Sequence, residues 1–482
     1  MSGTAELTLF QLNDSHGYIA PHPEWFWDGA AGAIRTAGGH ARIAALIAAE
    51  RRRHPGAVLA LDNGDTLHGT YPVVHSEGEA LLPILNAMGL DGMTAHWEFA
   101  YGPARFKALA QRLNYPMLAI NCYEEASGEL AYPPYVVYEA AGLRVGVIGI
   151  AATIVDKTMP PSFSKGLRFT LGNEELPGHI SHLRQEERAD LIVVVSHLGF
   201  PQEVRLAEEV EGIDVLLSGH THNRIYRPVL VNGAIIIQSG CHGSFLGRLD
   251  LQLEGGKVVD WRHALITVTE DLPEDPVVRE RVEAALATDR SDLAEQVGET
   301  RTPLHRYTVL EAPMDNLLLQ ALQSETGAEV AFSNGWRYGA PIPPGPITLN
   351  DLWNIIPVNP PVSTCDLTGE EIWDMMEENL EHTFARNPYD QMGGYVKRCL
   401  GLNLYAKIEN PAGQRIQQIF VGGRPLRREQ VYHAAYVTSQ GVPKEYGAHH
   451  EQIGVRAIDA LRRYLAQSGP VSAEIRGSIV AV

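Results

Sequence analysis

From the start of the chain to about Ile266, short apolar runs alternate with longer stretches whose apolar positions recur at helical spacing. Such alternation implies strands buried in a sheet with amphipathic helices packed over it. The pattern predicts strands over Leu7–Gln11, Ala57–Leu61, Met117–Ile120, Arg144–Ile150, Leu191–Val195, Asp214–Leu217, Ala234–Gln238 and Gly247–Leu253. Helices are predicted over Gly39–Arg53, Pro103–Leu113 and Pro201–Val210, so this part reads as an α/β domain. Between Glu274 and Glu299 the composition shifts to Glu, Arg, Ala and Asp with apolar residues at helical spacing and no strand signal, which reads as a solvent-exposed connecting helix. Beyond Arg301, helices over Leu317–Thr326, Thr368–His382 and Val455–Gln467 mix with short strands and turns such as Pro341-Ile342-Pro343-Pro344-Gly345. The expected organisation is one domain over 1–270, a connecting helix over 271–300 and a second, mixed α/β domain over 301–482, without an internal repeat.

A chain of 482 residues exceeds the size at which one hydrophobic core stops growing, which agrees with two domains. With 45% hydrophobic and 20% charged residues and no polar low-complexity tract, it has a globular composition. The balance of 39 basic against 58 acidic residues, net −19, disfavours a nucleic acid polymer as partner. An anionic substrate would then need a local cationic centre. Cys122, Cys241, Cys365 and Cys399 stand singly, which argues against a disulfide scaffold or structural zinc. The start, Met1-Ser2-Gly3-Thr4-Ala5-Glu6, runs straight into strand-like sequence, and no apolar run is long enough to span a bilayer. The expectation is a soluble protein without a membrane partner, cytoplasmic as written and periplasmic if the chain is a processed mature form.

Four segments at predicted strand ends gather oxygen and imidazole donors, at the edge where open α/β sheets assemble their sites. In Asn13-Asp14-Ser15-His16-Gly17, residues two apart in an extended loop project to the same side, so Asp14 and His16 can reach one ion. Alone, the motif also fits a turn with a helix cap. In Asp62-Asn63-Gly64-Asp65 the glycine permits close backbone approach, and the two oxygens of Asp65 can bridge two cations; an isolated Gly-Asp also fits an ordinary turn. Val195-Ser196-His197-Leu198 ends an apolar strand with an imidazole, which singly reads as a hydrogen-bonded core histidine. Ser218-Gly219-His220-Thr221-His222 is the most specific, because two imidazoles after a buried strand are costly to bury without a partner.

In this order the segments resemble the D-x-H, G-D, lone His and G-H-x-H blocks of the calcineurin-like metallophosphoesterases. Gly38-Gly39-His40-Ala41-Arg42 is similar to the G-G-x-A-R block of 5'-nucleotidases, and Ser333-Asn334-Gly335-Trp336-Arg337 to their second-domain N-G-G-x-R block, so nearly the whole chain is covered. The resemblance implies an α/β fold, with an N-terminal four-layer α/β/β/α metallophosphoesterase sandwich and a smaller mixed α/β C-terminal domain that sets specificity. It implies one ion held by Asp14, His16 and His222, a second by His197 and His220, and Asp65 shared. Oxygen and nitrogen ligands without thiolate fit two divalent ions of Mn, Zn, Fe or Mg. Such a pair acidifies and orients a water as nucleophile and neutralises charge on the attacked group, so no side-chain nucleophile is required.

The remaining block departs from the family. Its G-N-H-E-F appears here as Ala95-His96-Trp97-Glu98-Phe99, which puts His96 where the family has a metal-ligating Asn and Trp97 where it has the catalytic His. Imidazole can replace an amide oxygen as ligand, whereas indole cannot donate a proton to a leaving group. The alternative alignment makes His96 itself the acid. The family's P-F-x-N block reads Pro357-Val358-Asn359-Pro360, and its later aromatic block reads Val437-Thr438-Ser439-Gln440-Gly441, so the rings that clamp a nucleotide base are missing. Both departures look similar to the SoxB-like branch, thiosulfohydrolases of bacterial sulfur oxidation, as do Asn334-Gly335-Trp336-Arg337-Tyr338-Gly339 and Asn387-Pro388-Tyr389-Asp390-Gln391-Met392-Gly393-Gly394.

The function expected is metal-dependent hydrolysis of a small anionic ester, a phosphomonoester or nucleotide-like molecule. One alternative is removal of a sulfonate from a carrier-bound sulfur; another is a metal-containing binding module with weakened turnover. Catalysis is assigned to His96, Asp65 and Arg337, metal binding to Asp14, His16, Asp65, His96, His197, His220 and His222, and substrate binding to Asn334, Arg337 and Tyr389. Lys397 and Arg398, beside the Gly393-Gly394 turn, are expected as solvated surface charges, with contact to the substrate's anionic group as the alternative, and His40, His68 and His242 are read as structural or without an assigned role.

Overall fold

The computed structural model of the chain describes residues 4–29, 31–393 and 396–482. Gly394, in the block over 387–394, lies outside the described residues, as do Met1, Ser2 and Gly3. The chain divides into two compact units, Met1–His22 with Thr36–Thr288 and Pro23–Arg35 with Asp289–Val482. Among the described residues no helix is long and apolar enough to cross a membrane.

The first unit is built on two sheets. One has five strands in the order Lys257–Thr267, Phe245–Glu254, Ala5–Leu12, Val58–Asp62, Gly92–Met93. The other has six, in the order Val229–Val231, Ala234–Ile237, Val215–Ser218, Leu191–Ser196, Leu143–Ile150, Tyr135–Ala140, and its four inner strands are parallel. Side chains alternate across each strand, so both faces need cover. Leu7 and Leu9 point one way and pack with Leu59, Leu61, Val145, Val193 and Leu217 between the sheets. Phe10 and Leu12 point the other way, against Ile43 and Ile47 of helix His40–Arg53 and Ile84 of helix Leu82–Met88. On the far side, Ile148, Ile192 and Val194 meet Ile180, Leu183 and Leu206 from helices Leu176–Gln185 and Phe200–Glu209. The result is a four-layer α/β/β/α sandwich, and burial on both faces is why these strands read as unbroken apolar runs.

Two predicted segments differ in the structure. Met117–Ile120 forms no strand beyond one bridge from Met117 to Met93. Its backbone bonds go to three places, Leu118 N–H to Met93, Ala119 N–H to Pro133 and Ile120 N–H to Gly149, so the segment passes between pairing partners. A side chain at Gly149 would meet the Leu118 carbonyl at 2.2 Å, so only glycine admits this crossing. The segment read as a solvent-exposed connecting helix contains helix Pro276–Ala287, which buries Val278 and Val282 against the helices that cover the five-stranded sheet. Asp275 caps it by accepting from Val277 and Val278 N–H at 3.0 Å each. A strand follows at Gln296–Thr300, which the charged composition concealed and which pairs with Gly345–Thr348.

The second unit holds a five-stranded sheet in the order Arg398–Leu400, Val330–Ser333, Val431–Val437, Pro361–Thr368, Ala448–Arg456, and a four-stranded sheet around Leu402–Ala406. Helix Gly369–Phe384 buries Ile372, Met375, Met376 and Leu380 against both, and a capping box between Thr368 and Glu371 starts it. Trp25 of the 23–35 segment packs against the His305 ring within this unit, with ring centroids 4.1 Å apart.

Candidate metal centre

Parallel pairing aligns the carboxyl ends of Ala5–Leu12 and Val58–Asp62 in one sheet and of Leu191–Ser196 and Val215–Ser218 in the other. The donor segments follow these ends directly. Four groups, Asp65, His96, His197 and His220, offer ligand atoms that all lie within 4.8 Å of one another. A second set, Asp14, His16, Asp65 and His222, meets the same limit, and Asp65 belongs to both. The structure thus brings together all seven residues expected as metal ligands.

The distances show how tightly the donors converge. The Nε2 atoms of His16 and His222 lie 3.0 Å apart, and His222 Nε2 lies 3.3 Å from Asp14 Oδ1. His197 Nε2 is 3.2 Å from Asp65 Oδ2, and His96 Nδ1 is 3.1 Å from Asp65 Oδ1. The buried Nε2 atom of His96 has no hydrogen-bond partner, and that of His197 faces the carboxylates of Asp65 and Asp14. Buried imidazole nitrogens without partners are costly, and a divalent cation satisfies them, so this donor set fits metal ions. His197 Nδ1 donates to the Asn63 carbonyl at 2.6 Å, which fixes the tautomer and leaves Nε2 free to ligate.

Charge follows the same geometry. Burial alone would raise the pKa of Asp65, but His96 and His197 outweigh it and hold the carboxyl well below the usual range. Burial alone would lower the pKa of His197, but Asp65 and Asp14 push it up to about 10. Burial keeps His16 well below its ordinary value and lowers His68 to about 3.

Five of these seven residues hold left-handed backbone: Asp14, His16, Asp65, His220 and His222, with φ of 51°, 46°, 56°, 69° and 58°. For residues other than glycine this conformation costs on the order of 1 kcal/mol or more, and it gathers at functional sites. Local hydrogen bonds hold it in place here. Asp14 accepts from the His220 backbone N–H at 3.0 Å and from Asn13 Nδ2 at 2.7 Å.

Asn63 is a site residue to which the sequence assigned no role. Its amide donates to the carbonyls of Ser196 at 2.9 Å and Leu217 at 2.7 Å and accepts from Gln11 at 2.9 Å, so it ties strand ends of both sheets together. The signal was present in a buried amide inside the Asp62–Asp65 turn. Trp97 is half-buried, stacks on His68 with ring centroids 4.6 Å apart, and donates its backbone N–H to Asp65 Oδ1 at 2.8 Å.

The substrate residues expected at Asn334, Arg337 and Tyr389 all lie in the second unit and are half-buried. Asn334 follows strand Val330–Ser333 and donates to Gln440 at 3.1 Å. Lys397 and Arg398 are not solvated surface charges: they are 4% and 1% exposed. Arg398 is accommodated because the Asp315 carboxylate lies 3.0 Å from its Nε as an ion pair, while its other nitrogens donate to the carbonyls of Val309 and Thr308. The same carboxylate accepts from Arg306 at 2.9 Å, and Arg306 donates on to the Tyr338 carbonyl at 2.9 Å, which anchors the loop carrying Arg337.

Residues 294–439 match the family described as "5'-nucleotidase, C-terminal domain". The chain is 25% identical over 86% of its length to the trifunctional nucleotide phosphoesterase YfkN of Bacillus subtilis, of which it spans 30%. It is 23% identical to a 5'-nucleotidase of Vibrio vulnificus, covering 97% of this chain and 91% of that one. The solved structure of the sulfate thiohydrolase SoxB of Thermus thermophilus superposes with a TM-score of 0.92 at 27% identity, over 99% of this chain and 96% of that one. With the sandwich, the second unit and the seven-residue donor set in place, the chain is similar over nearly its whole length to two-domain 5'-nucleotidases and to SoxB, and its residues 294–439 match the 5'-nucleotidase C-terminal domain.

Proposed function

We propose that the chain is a two-metal hydrolase of small anionic esters, with phosphomonoesters or nucleotide-like molecules as its substrate class. The observation that carries this is the pair of donor sets that share Asp65. Asp14, His16 and His222 would hold one ion, His96, His197 and His220 the other, with Asp65 common to both; Mn, Zn, Fe and Mg all suit such ligands. When bound, two divalent ions supply Lewis acidity, which makes a water acidic at neutral pH and neutralises charge on the attacked group. The chain's own residues orient that chemistry. Asn63 sets the tautomer of His197, and the Trp97 backbone N–H holds the Asp65 carboxylate. Arg337 is the second unit's candidate for an oxyanion, since a planar guanidinium matches phosphate or sulfonate oxygens. Asn334 and Tyr389 are further candidates for substrate contact.

Proton donation to the leaving group is the weak point of this chain. Indole offers no acid at Trp97, and burial keeps the neighbouring His68 neutral at physiological pH. This observation favours a second reading, hydrolysis of a sulfonate from a carrier-bound sulfur, because a thiolate leaves as a stable anion. The likeness to sulfate thiohydrolase SoxB supports the same reading. The test is kcat/KM for AMP, p-nitrophenyl phosphate and a thiol S-sulfonate, with Mn and with Zn, in the parent and in Trp97→His. AMP should be the poorest substrate in the parent and gain most in the variant, by roughly 10²-fold where a general acid is restored. A tenfold preference for AMP in the parent would overturn the argument from Trp97, and no turnover of any of the three would leave a binding module.

A further inference from the structure

We propose that Glu98 is a positioning residue for the metal centre, a carboxylate that locks two ligand-bearing loops into one frame. The inference rests on the two-metal reading above and concerns a residue that reading leaves without a role. Asp65 and His96 come from different places: Asp65 follows strand Val58–Asp62, and His96 follows the short strand Gly92–Met93. Their relative placement decides whether one ion can touch both.

Glu98 is fully buried, in the turn Trp97–Tyr101. Its carboxylate accepts four backbone N–H groups. Three belong to the Asp65 loop: Asp65 at 3.2 Å, Thr66 at 2.6 Å and Leu67 at 3.1 Å. The fourth is His96 of its own loop, at 2.8 Å.

The local backbone explains why an anion is wanted there. Gly64 and Asp65 are successive left-handed residues, with φ of 87° and 56°. Consecutive N–H groups in such a turn converge into a concave nest that binds anions. In this chain the nest is filled from within. The two loops also touch at Gly64, where a side chain would meet the Thr94 carbonyl at 2.7 Å and Ala95 Cα at 2.9 Å. One carboxylate therefore fixes the left-handed turn that aims Asp65 and the backbone that aims His96. It does so without offering a ligand atom itself, which is how outer groups around a metal orient its ligands.

The substitution that isolates this role is Glu98→Gln, which keeps shape but replaces one acceptor oxygen with an NH2 facing N–H donors. The full-length protein is stripped with a chelator, and Mn²⁺ uptake is followed by titration, with the thermal midpoint measured with and without Mn²⁺. Expected is a 10- to 100-fold loss of Mn²⁺ affinity, the range for groups that orient metal ligands, and a smaller Mn²⁺-induced rise in the midpoint. If Glu98→Gln does not fold, Glu98→Asp keeps the charge on a stem one methylene shorter, and its affinity should lie between those of the parent and the metal-free limit. A folded Glu98→Gln or Glu98→Asp that takes up two Mn²⁺ with parent affinity, even with a lowered metal-free midpoint, overturns the proposal and leaves the two-metal reading intact. A parent protein that takes up no pair of ions overturns both.

Discussion

Replacing Lys397 with methionine tests the electrostatics of the second unit directly. The side chain is 4% exposed, and its ammonium donates to the Gln440 carbonyl. Burial lowers its pKa from 10.5 to about 8, against the opposing pull of Glu378, Cys399 and Glu445. Between these two values the unfolded chain holds a proton that the folded chain has released, so stability rises with pH across that window. The contribution is complete above 10.5 and is lost as pH falls through about 8. A separation of about 2.5 units corresponds to roughly 3 kcal/mol over the whole window. Lys397→Met keeps the aliphatic stem and removes the titration; every other ionising group is common to both proteins and cancels in the difference. Urea unfolding followed by circular dichroism at intervals from about pH 7 to pH 10 should show the parent gaining roughly 2–3 kcal/mol relative to the variant. A stability difference constant to within about 0.5 kcal/mol over that range would mean that Lys397 titrates near its ordinary value, and the reasoning from burial would fail.

Asp65→Asn and His220→Ala should each abolish hydrolysis, and full activity in protein shown by elemental analysis to be metal-free would sink the assignment. His96→Asn should retain more activity and more bound Mn²⁺ than His96→Ala, because an amide oxygen can ligate and a methyl cannot; equal losses would argue that His96 is the acid. Asp315→Asn leaves two buried guanidinium groups against a neutral amide and should cost roughly 3–5 kcal/mol in urea unfolding, whereas a cost near zero would show that backbone carbonyls suffice for Arg306 and Arg398.

The sequence pattern located Ala5–Leu12, Val58–Asp62, Leu143–Ile150 and Leu191–Ser196 because each is buried on both faces and so carries an unbroken apolar run. It missed Lys257–Thr267, whose burial alternates between partly covered and exposed positions with no apolar run to mark it. Met117–Ile120 misled in the opposite direction. Its residues are as buried as those of a strand, yet its backbone is shared among three partners.

What the sequence determined by itself is the list of donors. A carboxylate or imidazole placed just after a buried strand is a local fact, set by residue type and by where an apolar run stops. Asp14, His16, Asp65, His197, His220 and His222 stood out as candidate donors on those terms, and the family resemblance grouped them. What only the tertiary structure decided is which donors meet and what holds them. Asn63 bridges strand ends 133 and 154 residues away, and Glu98 reaches back 31 to 33 residues to the Asp65 loop. Lys397 and Arg398, charged residues that a sequence assigns to solvent, are buried because Asp315 and the carbonyls of Thr308, Val309 and Gln440 are brought to them from distant elements. Burial of a polar group is tolerated only when its partners arrive, and those partners come from parts of the chain that no local pattern connects.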